Sequence, residues 1–158
     1  MKSLYQGIAD VLLNDADLRS FVMYTDKEKN IRRGYVPPQG EGRWNRMLIF
    51  HLDEEQVGTD FTPKIRQVPL IIRVYDRESD LGCDDIAERA ILLLDGADLS
   101  VAGETYVYDC SYAGELYPSW WNDDLKSYEK VLRFVVIFRV DGVVGSSGVP
   151  TRKRKQER

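Results

Sequence analysis

Histidine occurs once in this chain, at His51, and cysteine only twice, at Cys83 and Cys110. A Ser-His-Asp or Cys-His nucleophilic set would have to run through that single imidazole, and neither a nucleophile elbow nor a cysteine motif accompanies it. Strand alternation places His51 among Met47, Ile49 and Tyr75, which suits a packing or interface histidine. The two cysteines lie 27 positions apart in different expected elements. That spacing fits no zinc site, so they read as reduced, mostly buried thiols and point to assembly in a reducing cytosol. No apolar run approaches the roughly 20 residues that span a bilayer. The N-terminal MKSLYQGIADVLLND is amphipathic, with Asp10, Asp15 and then Asp17, and does not read as a signal peptide. Internal repeats and low-complexity blocks are also missing.

Carboxylates are plentiful but poorly arranged for chemistry. Asp53-Glu54-Glu55, Asp84-Asp85 and Asp123-Asp124 are neighbours in sequence. Neighbours face opposite ways on a strand and are solvated in a loop, so general acid/base work is unsupported. The alternating ligands of a calcium loop are absent. Gly34, Gly40 and Gly42 form no phosphate cradle, because no strand feeds them and no Lys-Ser pair follows. The expectation is therefore a protein that is not an enzyme, with no catalytic residues, no cofactor and no metal.

What is present reads as one domain. The chain has 158 residues, of which 43% are apolar and 30% charged, enough to bury a self-sufficient core. Its net charge of −4 hides an asymmetry. The last eight residues, TRKRKQER, hold five of the 22 basic side chains and one of the 26 acidic ones, for +4. The other 150 residues carry 17 basic against 25 acidic side chains, for −8. An acidic body with a basic tail is a partner-facing pattern.

The clearest segment is QVPLIIRVYDRESDLGCDDIAERAILLLDG, from Gln67 to Gly96. Val68, Leu70, Ile72 and Val74 alternate as on a strand. Ser79 or Asp80 stands at an N-cap, and Asp80, Asp84 and Asp85 place negative charge at the helix start. Ile86, Ala87, Ala90, Ile91, Leu93 and Leu94 recur at helical spacing, and Gly96 is the expected left-handed stop. Upstream, Leu4, Ile8, Val11 and Leu12 predict a first helix, and Asp15 to Val22 a second short turn. Residues 25–45, with Pro37-Pro38, read as a long irregular loop. A strand is expected over Arg46 to Asp53, then the acidic loop DEEQVGTDFTPK. After the main helix come a short strand at Leu99–Ala102, a strand from Glu104 to Tyr112, a loop AGELYPSWWNDDLKS and a last strand from Glu129 to Val140. Together these give an α+β two-layer sandwich, a four- to five-stranded, mainly antiparallel sheet with two helices on one face. The domain spans 1–141, and 142–158 is a Gly/Ser hinge with a basic tail.

The second sheet face is unusually apolar. Met47 and Ile49, Ile71 and Tyr75, and Val135 and Ile137 face away from the expected core, where an open sheet should be more polar. Cover by another subunit and ordinary scatter of exposed apolar groups both account for it. Leu81 and Leu92 project together from the outer face of the main helix and are further contact candidates. Trp120-Trp121, on an expected loop, either anchors a partner or folds back over the core. The tail Arg152, Lys153, Arg154 and Lys155 is a solvated end, a dock for an acidic protein, or a sequence-blind DNA contact.

The order of elements resembles a known family. The stretches NDADLRSFV, RMLIFHLDEE, VPLIIRVYDRE, DDIAERAILLLDG and YEKVLRFVVIFRV, with Pro37 and Pro38 in the first loop, are similar in layout to the tail-completion, or tail-terminator, proteins of long-tailed bacteriophages, over about residues 4–140. The resemblance implies a structural virion protein at the head-proximal end of the tail, made in host cytoplasm. It implies a hexameric homo-oligomeric ring that caps the tail tube protein and meets a head-tail connector or neck protein, with no membrane involved. DNA would pass through that ring without specific binding, which the acidic body suits. Glu54, Glu55 and Asp60 of the acidic loop, with Trp120 and Trp121, are the partner-facing candidates. A head-side neck adaptor and a DNA-binding accessory module using the basic tail are the alternatives.

Overall fold

The computed structural model describes residues 2–25, 27, 29–37, 44–53 and 65–140. In chain order the elements are α1 (Lys2–Leu13), α2 (Ala16–Phe21), β1 (Ile31–Arg33), β2 (Arg46–Leu52), β3 (Ile65–Asp76), α3 (Asp80–Leu94), β4 (Thr105–Asn122) and β5 (Ser127–Val140). The strands form a five-stranded sheet in the order β1-β2-β3-β5-β4. Only β1 and β2 are parallel; the other neighbours are antiparallel. The fold is α+β, as the sequence pattern predicts.

Alternation decides which side of each strand meets the helices. Leu48, Phe50 and Leu52 of β2, Val68, Leu70, Ile72 and Val74 of β3, and Leu132, Phe134, Val136 and Phe138 of β5 share one core with the helices. α1 contributes Leu4, Ile8 and Leu12 at a spacing of four, all fully buried. Gly7 lets it approach closely, because a Cβ there would overlap the Leu99 carbonyl. Ser3 is hydrogen-bonded to Thr105, and the Tyr5 hydroxyl accepts from the Leu52 amide at 2.9 Å, so α1 is tied at two places.

The α3 start is built as its sequence predicts. Ser79 is the N-cap, extended at φ −152°, and its hydroxyl accepts from the Leu81 amide at 3.1 Å. Only Asp80 lies in the first turn. Asp84, one turn on, instead accepts from Lys130 Nζ at 2.8 Å. After Leu94 the chain turns through Gly96 at φ +77°, where a side chain would be strained.

Three sequence expectations change. The 25–45 stretch contains β1, a three-residue strand too short to show a period. The expected strand at 99–102 is a single bridge between Val101 and Thr105. The expected loop from Ala113 is strand up to Asn122, leaving a four-residue turn at 123–126: β4 runs for 18 residues, with register shifts against β5 at four places. Gly114 and Pro118 stand in or beside those shifts on the outer edge, where a missing amide donor breaks no ladder.

Gly7→Ala tests the seating of α1. Helix propensity alone would favour alanine by about 1 kcal/mol. Overlap with backbone at Leu99 should reverse the sign and cost roughly 1–3 kcal/mol, read as a lower urea midpoint at unchanged slope. A raised midpoint would mean that α1 does not press on Leu99.

Candidate assembly surfaces

The second face of the sheet divides into a closed half and an open half. Near the Asp76 end, Met47, Ile49 and Tyr75 form a small buried cluster with Trp44, and Leu125 packs against it. Ile71 is buried as well. Glu129 holds this half together with its buried carboxylate. It accepts from the Tyr75 hydroxyl at 2.6 Å and from Asn122 Nδ2 at 3.2 Å, and Arg73 Nη1 lies 3.5 Å away. Asn122 Oδ1 in turn accepts from the Leu125 amide, which draws the β4–β5 turn onto the face. The Arg77 guanidinium lies over the Trp44 ring, 4.0 Å from its centroid. Burial, and then the Glu129 carboxylate beside it, push the Tyr75 phenol far above its ordinary value, so it stays a donor. Four residues expected to meet another subunit, Met47, Ile49, Ile71 and Tyr75, are thus already buried within this chain. Trp44 and Leu125 come from segments outside the strands, which strand alternation cannot anticipate.

The open half centres on Val135 and Ile137, both half-buried, with Arg133 and Arg139 on either side along β5. Tyr106 and Tyr108 of β4 meet edge to face at 4.9 Å and are 47% exposed each. Arg139 lies 5.2 Å and 5.8 Å from the two ring centroids and donates to the Tyr108 hydroxyl at 3.1 Å. Arg133 has no charged partner among the described residues.

A second open surface is the outer face of α3. Its buried residues, Gly82, Cys83, Ile86, Ala87, Ala90 and Leu94, face the sheet. Leu81, Asp85, Glu88 and Leu92 fall within about 60° of one another on the opposite side, at about 100° per residue. The two leucines are 68% and 67% exposed. Between α3 and α2 lies a hollow lined by Phe21, Asp85, Glu88, Arg89 and Leu92. Arg89 is committed there: it donates through Nε and Nη2 to Asp15 at 2.8 and 2.7 Å. Asp15 also caps α2 by accepting from the Leu18 amide. The Arg89 hydrogen bond holds the Asp15 carboxyl below its ordinary 3.8.

The remaining candidates are scattered. Trp120 and Trp121 lie on β4, not on a loop, with Trp120 opposite Glu129 and Trp121 opposite Tyr128. Trp121 meets the Tyr128 ring edge to face at 5.0 Å, and both tryptophans are exposed. His51 is buried under Tyr35, whose ring centroid is 4.3 Å away, and its Nε2 is 3.7 Å from Asp53 Oδ1. Burial lowers its pKa and favours the neutral ring. Cys83 and Cys110 are free and buried, with thiol pKa values pushed up to about 12 by burial. Among the described residues no His, Cys, Asp or Glu cluster could hold a metal ion. Glu54, Glu55, Asp60, Arg152, Lys153, Arg154 and Lys155 lie outside the described residues. Sequence reasoning missed Glu129 and Arg133 as site-forming groups. The one signal was an acid and an arginine on a strand otherwise dominated by apolar residues.

No protein-family model matches the chain, and no curated protein matches it. Among solved structures, one chain from the virion of a native gene transfer agent particle superimposes with a TM-score of 0.62. The match covers 85% of this chain and 92% of that one, at 19% identity. At that identity the likeness establishes a shared fold.

The division of the sheet face predicts unequal mutational costs. Tyr75→Phe removes a donor from a buried carboxylate and should cost roughly 1.5–3 kcal/mol. Leu92→Gln, on the open helix face, should change stability by less than about 0.5 kcal/mol. Chemical denaturation of both variants checks the contrast, and equal effects would refute it. The Asp15–Arg89 pair predicts an acid response. A carboxyl whose folded pKa is depressed contributes stability above its unfolded value near 3.8. That contribution is lost as pH falls through the lower folded value. Asp15→Asn should therefore be less stable than wild type at pH 6, with the gap closing as pH falls below 3.8 and through the lower folded value. A constant gap would exclude the pair as its cause.

Proposed function

We propose that the protein is a structural component of a phage-like virion and the subunit of a ring that caps the tail tube and joins it to the head. The shared fold with a chain of the gene transfer agent virion, over most of both chains, carries this reading. The resemblance of its element order to tail-terminator proteins points to the same place. Two further features suit the role. The domain offers two unlike open surfaces, on its helix layer and on its sheet layer, and a ring needs unlike surfaces that meet head to tail. Its body of −8, from 17 basic and 25 acidic side chains in residues 1–150, disfavours phosphate binding, as a DNA conduit requires. In this role the protein is a homo-oligomer, in six copies on the family pattern. It contacts the tube protein on one side and a connector or neck protein on the other, and performs no catalytic step.

Removing the protein from a particle-producing system tests the reading by electron microscopy. Tails of uncontrolled length and heads without tails are expected, with both defects repaired by supplying the protein. Tails of normal length that fail to join heads would favour a head-side neck adaptor instead. Complete particles in its absence would exclude a structural role. A DNA-binding module would show heparin retention that disappears when residues 150–158 are deleted, with no particle defect.

A further inference from the structure

Arg133 and the hollow between α2 and α3 have complementary chemistry. The hollow presents the carboxylates of Asp85 and Glu88, neither of which has an ion-pair partner among the described residues. Its apolar wall is Phe21 and Leu92, both exposed. The arginine that lines it, Arg89, is already held by Asp15, with Asp17 3.6 Å away. A site with unpaired acids beside apolar wall suits an incoming arginine, whose methylene stem packs on carbon while its guanidinium meets carboxylate. On the other side of the molecule, Arg133 projects from β5 beside the half-buried Val135 and Ile137, without a charged partner among the described residues.

These two surfaces lie on opposite layers of one domain. The Leu81–Leu92 stripe points directly away from the sheet, and Arg133 is on the face of the sheet that points away from α3. A chain therefore cannot close the contact on itself. Joining the unlike surfaces of two copies leaves one of each still open, so the contact repeats head to tail and ends only when a ring closes.

We infer that a second copy of this chain docks here: Arg133 of one copy enters the α2–α3 hollow of the next and pairs with Asp85 and Glu88, while Val135 and Ile137 cover Phe21 and Leu92. The inference rests on the ring reading above and identifies the surfaces that build it. Tyr106, Tyr108 and Arg139 lie on the margin of the contact. Arginine and tyrosine are the residue types that interfaces favour.

Charge exchange tests it by native mass spectrometry and light scattering on the purified full-length chain, alone and with tube subunits. Arg133→Glu and Glu88→Arg should each weaken self-association by at least about tenfold, a loss of 1.4 kcal/mol. Their circular dichroism melts should stay close to wild type, since Glu88 is exposed and Arg133 is only half-buried, with no charged partner among the described residues. The double variant E88R/R133E should recover assembly, because the pair is restored with its signs exchanged. Loss in both single variants without recovery in the double would overturn the direct contact. Wild-type assembly by both single variants would overturn these surfaces while leaving the ring intact. A wild type that stays monomeric even with tube subunits would overturn the interface and the ring reading together.

Discussion

The carboxylate of Asp76 is the point on which the architecture turns. It is fully buried at the end of β3, where the chain leaves the sheet for α3. One oxygen accepts from the amides of Glu78 and Ser79 at 2.8 and 3.2 Å, which fixes the turn that aims the helix. The other lies 3.0 Å from Arg46 Nε, its partner across the β2–β3 ladder. Arg46 Nη1 in turn donates to the Phe21 carbonyl at the end of α2. One buried charge thus sets the relation of β2, β3, α2 and α3. α3 begins close against it because residue 82 is glycine; any Cβ there would overlap the carboxylate. A buried charge is costly unless paired and hydrogen-bonded; here one oxygen is hydrogen-bonded, and the other faces the arginine as an ion pair without a hydrogen bond.

Much of this fold is legible in the sequence where a simple period operates. The core faces of β2, β3 and β5 follow from alternation. The ends of α3 follow from Ser79 and Gly96, whose chemistry is local. Legibility fails where order depends on distant groups. β1 has three residues and owes its existence to the neighbouring strand. The far half of β4 reads as loop because its bulges repeatedly interrupt the alternation that would reveal it, and because Pro118 is tolerated only on an outer edge.

The candidate surfaces divide along the same line. Leu81 and Leu92 stand out in sequence as leucines off the core stripe, and they are exposed. Met47, Ile49 and Tyr75 stand out equally as apolar residues off the core face, yet Trp44, the Glu129 anchor and Leu125 close over them, and Ile71 is buried too. The sequence signal in both cases is an apolar residue on the wrong side. Only tertiary contacts tell whether the chain covers it itself. Once that subtraction is made, the Arg133–Arg139 stretch of β5 and the outer stripe of α3 remain open, beside the exposed Trp120 and Trp121 of β4.

The irregular outer strand has a further consequence. A flat edge of eighteen residues would be a template for any free strand, and many copies held side by side would run the risk of zipping into fibrils. β4 shifts register at four places, so its unpaired amides and carbonyls never line up over a long stretch. A copy arriving edge-on finds no continuous ladder to extend. Edge-to-edge pairing is thereby disfavoured along β4. Geometry that looks like a defect in the strand is a form of protection against indiscriminate strand pairing.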